Sequence, residues 1–335
     1  MKAIVYDKAG LPIDDPRALY ELDLPRPAPQ ARDLLVRIEA IAVNPVDSKL
    51  RLGVQPTGPR VLGWDAVGTV DAVGEAVELF NVGDKVWYAG DITRQGSYAE
   101  YGLVDERIAG HCPKSLKTAD AAALPLTSIT AWELLFDRLR IPEAGGHGQS
   151  LLVIGASGGV GSILVQLARK LTGLTVIGTA SRPESRKWVT DLGAHLVIDH
   201  SQPLQPQLTA GGIQQVDHVI SLTHTDSYYA QIVELLKPQG QLALIDDPAT
   251  LDAMPLKRKS ISLHWEFMFT RSMYRAADMV EQHKLLDRVA ALLDEGVLKT
   301  TVGEHFGDIT VDNLRRAHAV LESSKAVGKI VLARS

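Results

Sequence analysis

The rhythm of apolar and polar positions changes once along the chain, near Asp120. Before it, from Met1 to about Leu116, apolar residues come in short runs rich in β-branched side chains: Leu34-Leu35-Val36-Arg37-Ile38, Ala66-Val67-Gly68-Thr69-Val70 and Lys85-Val86-Trp87-Tyr88. Such runs read as strands. The turn residues that separate them, Gly83-Asp84 and Gly90-Asp91, with Pro25, Pro27 and Pro29 near the start, predict an all-β barrel or sandwich. From Ala121 to Phe136 there is no glycine and apolar residues fall at helical intervals up to Asp137-Arg138, so the pattern predicts a helix at the crossover.

Strand and helix then alternate. Strand-like runs cover Leu151 to Ile154, Thr175 to Ile177, Leu196 to Ile198, Asp217 to Ile220 and Gln241 to Ile245. Between them lie a helix with Leu164, Leu167, Ala168 and Leu171 on one face, another closed by Gly193, and a helical run from Tyr228 to Leu236. This alternation predicts a doubly wound parallel sheet with helices on both faces. The last part has helical patterns over Met279 to Leu293, with Val280, Leu285, Val289 and Leu292 apolar, and over Val311 to Glu322, then a closing strand from Lys329 to Leu332. Because this part mixes strand and helix again, it is expected to complete the first domain. The expected division is 1–122 and 269–335 for a β-rich domain and 123–268 for the α/β domain.

Composition changes this picture little. A chain of 335 residues is long enough for two cores. A formal net charge of −5 gives no general attraction to nucleic acid or anionic lipid. A lone cysteine, Cys112, excludes an intrachain disulfide or a cysteine-rich zinc module and fits a reducing compartment. No run is long and apolar enough for a signal peptide or a membrane span, so the expectation is a soluble cytoplasmic protein with no nucleic-acid or membrane partner.

The most specific motif is Gly155-Ala156-Ser157-Gly158-Gly159-Val160-Gly161, directly after an apolar strand and directly before a helix. At such a turn, residues with small side chains let the backbone approach a pyrophosphate, and the helix N-terminus points free N–H groups at it. In the G-x-G-x-x-G register Ala156, Gly158 and Gly161 take the three positions. No Lys-Ser or Lys-Thr follows, so the turn predicts a dinucleotide rather than a Walker-type phosphate loop.

Cofactor choice is read at the end of the next strand, where an acid would bind the ribose 2′-hydroxyl of NAD. The chain has Thr179-Ala180-Ser181-Arg182-Pro183-Glu184-Ser185-Arg186-Lys187 there, with no acid ending the strand. Ser181 and Arg182, with Arg186 or Lys187 one helical turn on, suit a 2′-phosphate, so NADPH is the expected cofactor. Ser181 and Glu184 also fit a capping box with Pro183 in the first turn, and both roles are compatible.

Together with Ala42-Val43-Asn44-Pro45-Val46-Asp47, Leu62-Gly63-Trp64-Asp65-Ala66-Val67-Gly68, Phe80 to Val86, Ala123 to Thr127, Leu192-Gly193-Ala194 and Gly328 to Leu332, these motifs resemble the medium-chain dehydrogenase/reductase superfamily. The resemblance covers nearly the whole chain and is nearest to the quinone oxidoreductase-like branch, which includes zinc-type alcohol dehydrogenase-like members. It implies a GroES-like catalytic domain built from both chain ends, a Rossmann domain between them, a cleft where nicotinamide meets substrate, and a homodimer paired through the last Rossmann strand, near Ser260 to Trp265. Where zinc-dependent members carry Cys, His and Cys with a nearby Glu, this chain has Asn44, Trp64, Leu126 and Asp65, and Gly90 to His111 lacks the cysteines of a structural-zinc lobe. No metal site is therefore expected. His195, His200, His218 and His224 lie on or beside expected strands without metal-binding spacing and read as structural or surface imidazoles.

The resemblance also implies cofactor contacts from Thr130, from the turn residues Ala156, Ser157, Gly158, Gly159, Val160 and Gly161, and from Lys329. It places Asn44 and Asp47 on the catalytic side. Asn44 could offer its amide to a substrate oxygen or serve only as a turn residue before Pro45; Asp47 could act in catalysis or orient its neighbours. Without zinc to polarise a simple ketone, the expected acceptor is a quinone or an α,β-unsaturated carbonyl, which spreads the incoming charge itself. A zinc-dependent alcohol dehydrogenase and a non-catalytic NADPH-binding protein, crystallin-like or RNA-binding, are the alternatives. The acidic balance counts against RNA.

Overall fold

A computed structural model describes residues 1–334. The chain divides into two compact units, one made of Met1–Ile129 with the segment from Phe269 onward, the other of Thr130–Met268.

In the first unit a seven-stranded sheet takes strands from both ends of the chain. The long strand Asp33–Ala42 pairs antiparallel with Ala66–Val73 and Tyr101–Asp105. The closing strand Lys329–Ala333 lies antiparallel to the same strand, Val331 opposite Ala42. A smaller sheet joins Lys2–Tyr6 to Tyr20–Asp23 and Arg60–Val61. The β pattern of the N-terminal part misses a helix, Pro45–Gly53. Proline at its first position has a fixed φ suited to helix entry, and Asp47 in the first turn accepts the Asn44 backbone N–H at 2.8 Å. The single helix expected from Ala121 to Phe136 is instead Thr118–Ala121, Pro125–Trp132 and a wider turn over Glu133–Arg138. Pro125 restarts the helix because it has no N–H to continue the first one.

In the second unit the strands β1 (Ser150–Ile154), β2 (Thr175–Thr179), β3 (Leu196–Ile198), β4 (Val216–Ser221), β5 (Leu236–Leu244) and β6 (Ser262–Trp265) are all parallel, in the order 3-2-1-4-5-6. That is the dinucleotide-binding arrangement, with ligands expected beyond the carboxyl ends of the strands where the order reverses. Helices α1 (Gly159–Leu171), α2 (Pro183–Asp191), α3 (Leu204–Ala210) and α4 (Thr225–Leu235) connect successive strands. Leu152, Val219 and Leu242 from the sheet pack with Leu208 and Ile232 from the helices in one buried cluster. At about 25 cal/mol per Å² of apolar area removed from water, such a cluster dominates the stability of the unit and fixes the strand ends that carry its ligand site. Among the described residues no helix is long and apolar enough to cross a membrane.

Candidate functional site

Each unit carries one polar constellation at the ends of its strands. In the α/β unit it is the turn between β1 and α1. Gly155 has φ +84°, a left-handed conformation that strains any residue with a side chain. The tight turn therefore sits one residue before Ala156, to which the glycine register gave that role. Gly161 is required for a different reason: a Cβ there would come within 2.4 Å of the Gly155 carbonyl oxygen and 2.6 Å of Ala156 backbone, neither of which can swing away. The helix thus packs directly on the turn. Gly158 is the N-cap of α1, with φ −74°, and a Cβ there would meet only the Gly155 oxygen at 3.6 Å. The first N–H groups of α1, from Gly159, Val160 and Gly161, have no intrahelical acceptor and carry the positive end of the helix dipole. Ser157 to Val160 are partly exposed. The Gly155 N–H is itself fixed by the Thr179 hydroxyl at 3.1 Å, a tie to the end of β2 that the sequence does not signal. This narrow, partly open cradle fits a pyrophosphate.

At the end of β2 the cap of α2 is Arg182, not Ser181, with Pro183 at the first helical position. The Arg182 side chain is 40% exposed and lies 3.5 Å from Glu184. Arg186 turns inward: its guanidinium donates to the carbonyls of Ala180 at 3.3 Å and Val197 at 2.9 Å, bracing the ends of β2 and β3. Thr130 is buried on the helix Pro125–Trp132. Of the expected structural histidines, His195 accepts the Val176 N–H at 2.9 Å and His218 lies 3.2 Å from Gln149.

In the β-rich unit three strand ends bring Asn44, Asp65 and Lys329 together. Val331 pairs with Ala42 and Ala66 pairs with Ile41, so Lys329 and Asp65 arrive beside Asn44 by register alone. The Lys329 ammonium, 4% exposed, donates to Asp65 Oδ2 at 2.9 Å, to the Val43 carbonyl at 2.9 Å and to Asn44 Oδ1. The Asn44 amide donates to Asp65 Oδ2 at 2.8 Å and, more weakly, to the Trp64 carbonyl at 3.4 Å. Asp65 Oδ1 accepts the Leu126 N–H at 2.8 Å. Burial pushes the Asp65 carboxyl above its usual range, opposed by the Lys329 ammonium.

A second buried chain extends from Asp47. Its Oδ2 accepts from Tyr98 Oη at 2.6 Å, Tyr98 Oη lies 3.3 Å from His318 Nε2, and His318 Nδ1 lies 3.2 Å from Ser48 Oγ. Burial pushes Asp47 up to about 7, against the Tyr98 and Asn44 hydrogen bonds, and burial also pulls His318 down to about 3. Asp47 Oδ1 has no hydrogen-bond partner. The sequence pattern leaves Tyr98, His318 and Ser48 unmarked, because nothing local to each residue reports the contact.

The residues at the metal-ligand positions do not fit zinc. Asn44 and Asp65 are held by the Lys329 ammonium, Leu126 has an alkyl side chain, and the Trp64 indole N–H is a donor only, buried without a partner. Among the described residues no group of three His, Cys, Asp or Glu converges for a metal ion.

Two family models match, a zinc-binding dehydrogenase over 192–332 and the alcohol dehydrogenase GroES-like domain over 30–114. The zinc-type alcohol dehydrogenase-like protein SAS2087 of Staphylococcus aureus is 42% identical over 312 residues, 92% of each chain. A quinone oxidoreductase of Rattus norvegicus is 29% identical over 318 residues, again 92% of each. Among solved structures, one from Rhizobium etli CFN 42 that bears the name of a zinc-dependent alcohol dehydrogenase superposes with TM-score 0.96 at 51% identity, covering 100% of this chain and 98% of that one. Mycobacterial Rv1454c, solved with NADPH, superposes with TM-score 0.84 at 29% identity, covering 99% and 100%.

Proposed function

The chain belongs to the zinc-type alcohol dehydrogenase-like proteins of the medium-chain dehydrogenase/reductase superfamily, oxidoreductases that use a nicotinamide cofactor, and from that premise we propose that it is an NADPH-dependent reductase of quinones or α,β-unsaturated carbonyls working without catalytic zinc. The observation that carries this reading is the ammonium of Lys329 bound to Asp65 and Asn44, because it occupies the donors that a catalytic metal would need. Bound reduced nicotinamide supplies a hydride. With no Lewis acid provided by the side chains, the acceptor must spread the incoming charge onto its own oxygen, as an enone or quinone does.

The protein's part is holding and orienting. The N–H groups of Gly159, Val160 and Gly161 bind the pyrophosphate, with Ser157 and Gly158 lining it and Ala156 packed beneath; Ser181 and Arg182 take the 2′-phosphate, with Arg186 keeping the two strand ends in place. Thr130 meets the nicotinamide end. Lys329 acts as a cofactor contact by sharing its ammonium away from one of its present acceptors. Asn44 offers a substrate oxygen the amide hydrogen now spent on the long contact to Trp64, and Asp47 is a positioning residue that fixes the Asn44 N–H and the Tyr98 hydroxyl.

A homodimer belongs to the same proposal. Strand β6 is the free edge of its sheet, and Trp265 and Phe267 beside it are 52% and 47% exposed. Pairing two such edges covers both the unpaired backbone and these rings. Sedimentation of wild type and Trp265→Asp tests it: a monomeric wild type is the contrary result. The catalytic proposal is tested by following oxidation of NADPH and NADH with a panel of quinones, alkenals and simple ketones, with metal analysis of the purified protein. Turnover of quinones or alkenals with NADPH is expected. Turnover of simple ketones alone, or stoichiometric tightly bound zinc, overturns it and supports the zinc-dependent reading that the relatives' names suggest.

A further inference from the structure

Resting on the NADPH reading, we propose that His200 takes up a proton when the 2′-phosphate docks beside Arg182, so that the preference for NADPH over NADH grows as the solution is made more acidic. The sheet register brings His200 to this place. Thr179 pairs with Ile198, and the Ala180 N–H continues the ladder to the Ile198 carbonyl at 2.9 Å, so the chain leaves the sheet at one end from both strands, through Ser181 and Arg182 on one and Asp199 and His200 on the other, and Arg182 acts on His200. The carboxyl end of β4 adds His224, whose backbone is left-handed at φ 51° and whose Nδ1 is tied to the Thr223 hydroxyl at 2.6 Å. Thr223 in turn borders the phosphate turn, since a Cβ on Gly155 would meet its methyl at 3.1 Å.

His200 is only half-buried, and its Nδ1 is inaccessible with no hydrogen-bond partner, an unusual state for a ring nitrogen beside an exposed strand end. The charged and titratable groups around it come from four directions. Asp199 precedes it, with a carboxylate already committed to the Ser201 N–H at 2.8 Å and hydroxyl at 2.7 Å. Arg182 acts from the end of β2 and His224 from the end of β4. From α4, the Tyr228 ring lies edge-on at 6.2 Å, and Glu234 lines the surface groove of about 460 Å³ that His200 also borders.

Burial lowers the proton affinity of His200; Asp199 opposes this, while His224 and Arg182 add to it. The imidazole is thus neutral in the empty protein near neutral pH. A phosphate dianion among these groups reverses the balance, because it favours the imidazolium and cancels the repulsion from Arg182. A ligand that raises a group's proton affinity binds more tightly as pH falls toward that group's range, by at most about tenfold per pH unit for one linked proton. The second ionisation of the phosphate near pH 6 sets the lower limit of the window. NADH lacks the phosphate and carries no such linkage.

Dissociation constants of NADPH and NADH, read by nucleotide fluorescence at about pH 6.2, 7 and 8, test the proposal on wild type, His200→Gln, His224→Gln and Arg182→Ala. The wild-type preference for NADPH is expected to rise about fivefold from pH 8 to pH 6.2, and His200→Gln to flatten it while leaving the NADH constants unchanged. An unchanged slope in His200→Gln, or a slope removed only by His224→Gln, overturns the assignment. Calorimetry of wild type in two buffers of different ionisation enthalpy needs no variant: proton uptake with NADPH but not with NADH is expected, and equal uptake overturns the proposal. The two readings fail separately. If wild type prefers NADPH at pH 8 and Arg182→Ala abolishes that preference, the cofactor reading stands whatever His200 does; if wild type shows no preference at any pH, both fall.

Discussion

The turn between β1 and α1 and the cluster around Asp65 are both built at strand ends, yet they handle polar groups in opposite ways. The turn leaves backbone N–H groups at the start of a helix partly open to solvent, and Gly161 there is kept small by backbone contacts from Gly155 and Ala156. The cluster closes on itself: Lys329, Asn44 and Asp65 are buried and bonded to one another. A binding turn must keep donors available for a ligand, whereas a buried ion pair must satisfy its own charges or destabilise the fold. The difference separates residues whose loss affects binding alone from residues whose loss also destabilises the unit that holds them.

The largest test of that contrast is Lys329→Met, which leaves Asp65 buried without its cation. Denaturant unfolding is expected to show a loss of about 3–5 kcal/mol, and adding Asp65→Leu to restore most of it, since an apolar pair tolerates burial that a lone charge does not. No recovery in the double variant would mean that the pair does more than balance charge. Next comes a pair of glycines in the turn. Gly161→Ala forces a methyl into backbone and is expected to cost about 1–3 kcal/mol in stability, whereas Gly158→Ala leaves the unfolding midpoint nearly unchanged and weakens nucleotide binding instead. Equal stability for both would remove the distinction between packing and ligand approach.

Arg182→Ala is expected to weaken NADPH about 10- to 100-fold with little change for NADH, as the loss of one charge-assisted contact predicts, and paired binding titrations read it. The smallest expected effect concerns pH. His318 is held near 3 by burial, well below a free imidazole, so the unfolded chain binds a proton there that the folded chain does not. Its contribution is therefore absent above about pH 6.5 and becomes destabilising as pH falls from there toward 3, by about 1–2 kcal/mol at pH 5. Asp47 works in the other direction: raised to about 7, it favours the folded state below the ordinary carboxylate range, and that benefit is lost as pH rises from about 4 through 7. His318→Gln is expected to remove the acid-side loss and leave the neutral-side slope, measured as unfolding midpoints across pH. An unaltered acid limb would show that another group titrates there.

Much of the architecture is legible in the chain because it is local. The alternation from Leu151 to Ile245 sets the parallel sheet; β4 extends only slightly beyond its apolar run, whereas β5 begins at Leu236 rather than Gln241, at a residue the helical pattern also claims. The missed helix at Pro45–Gly53 and the break at Pro125 have opposite causes: Pro45 reads as the end of a turn and Pro125 as the interior of one continuous helix, whereas each stands at a helix start. Ser181 looked like a cap because its hydroxyl suits the role, but the chain enters α2 one residue later.

The sequence alone determined the glycine turn, the lack of an acid at the end of β2 and the absence of Cys and His at Asn44, Trp64 and Leu126, since each is a matter of residue type within a short stretch. Only the tertiary structure decided that Lys329 neutralises Asp65, that Asp47 reaches His318 through Tyr98, and that Arg182 acts on His200. Those partners are far apart along the chain or lie on different strands. Strand register fixes the first and the last of these meetings, and the packing of the helices Pro45–Gly53 and Val311–Glu322 fixes the second; both depend on the whole unit rather than on any pattern a short segment carries.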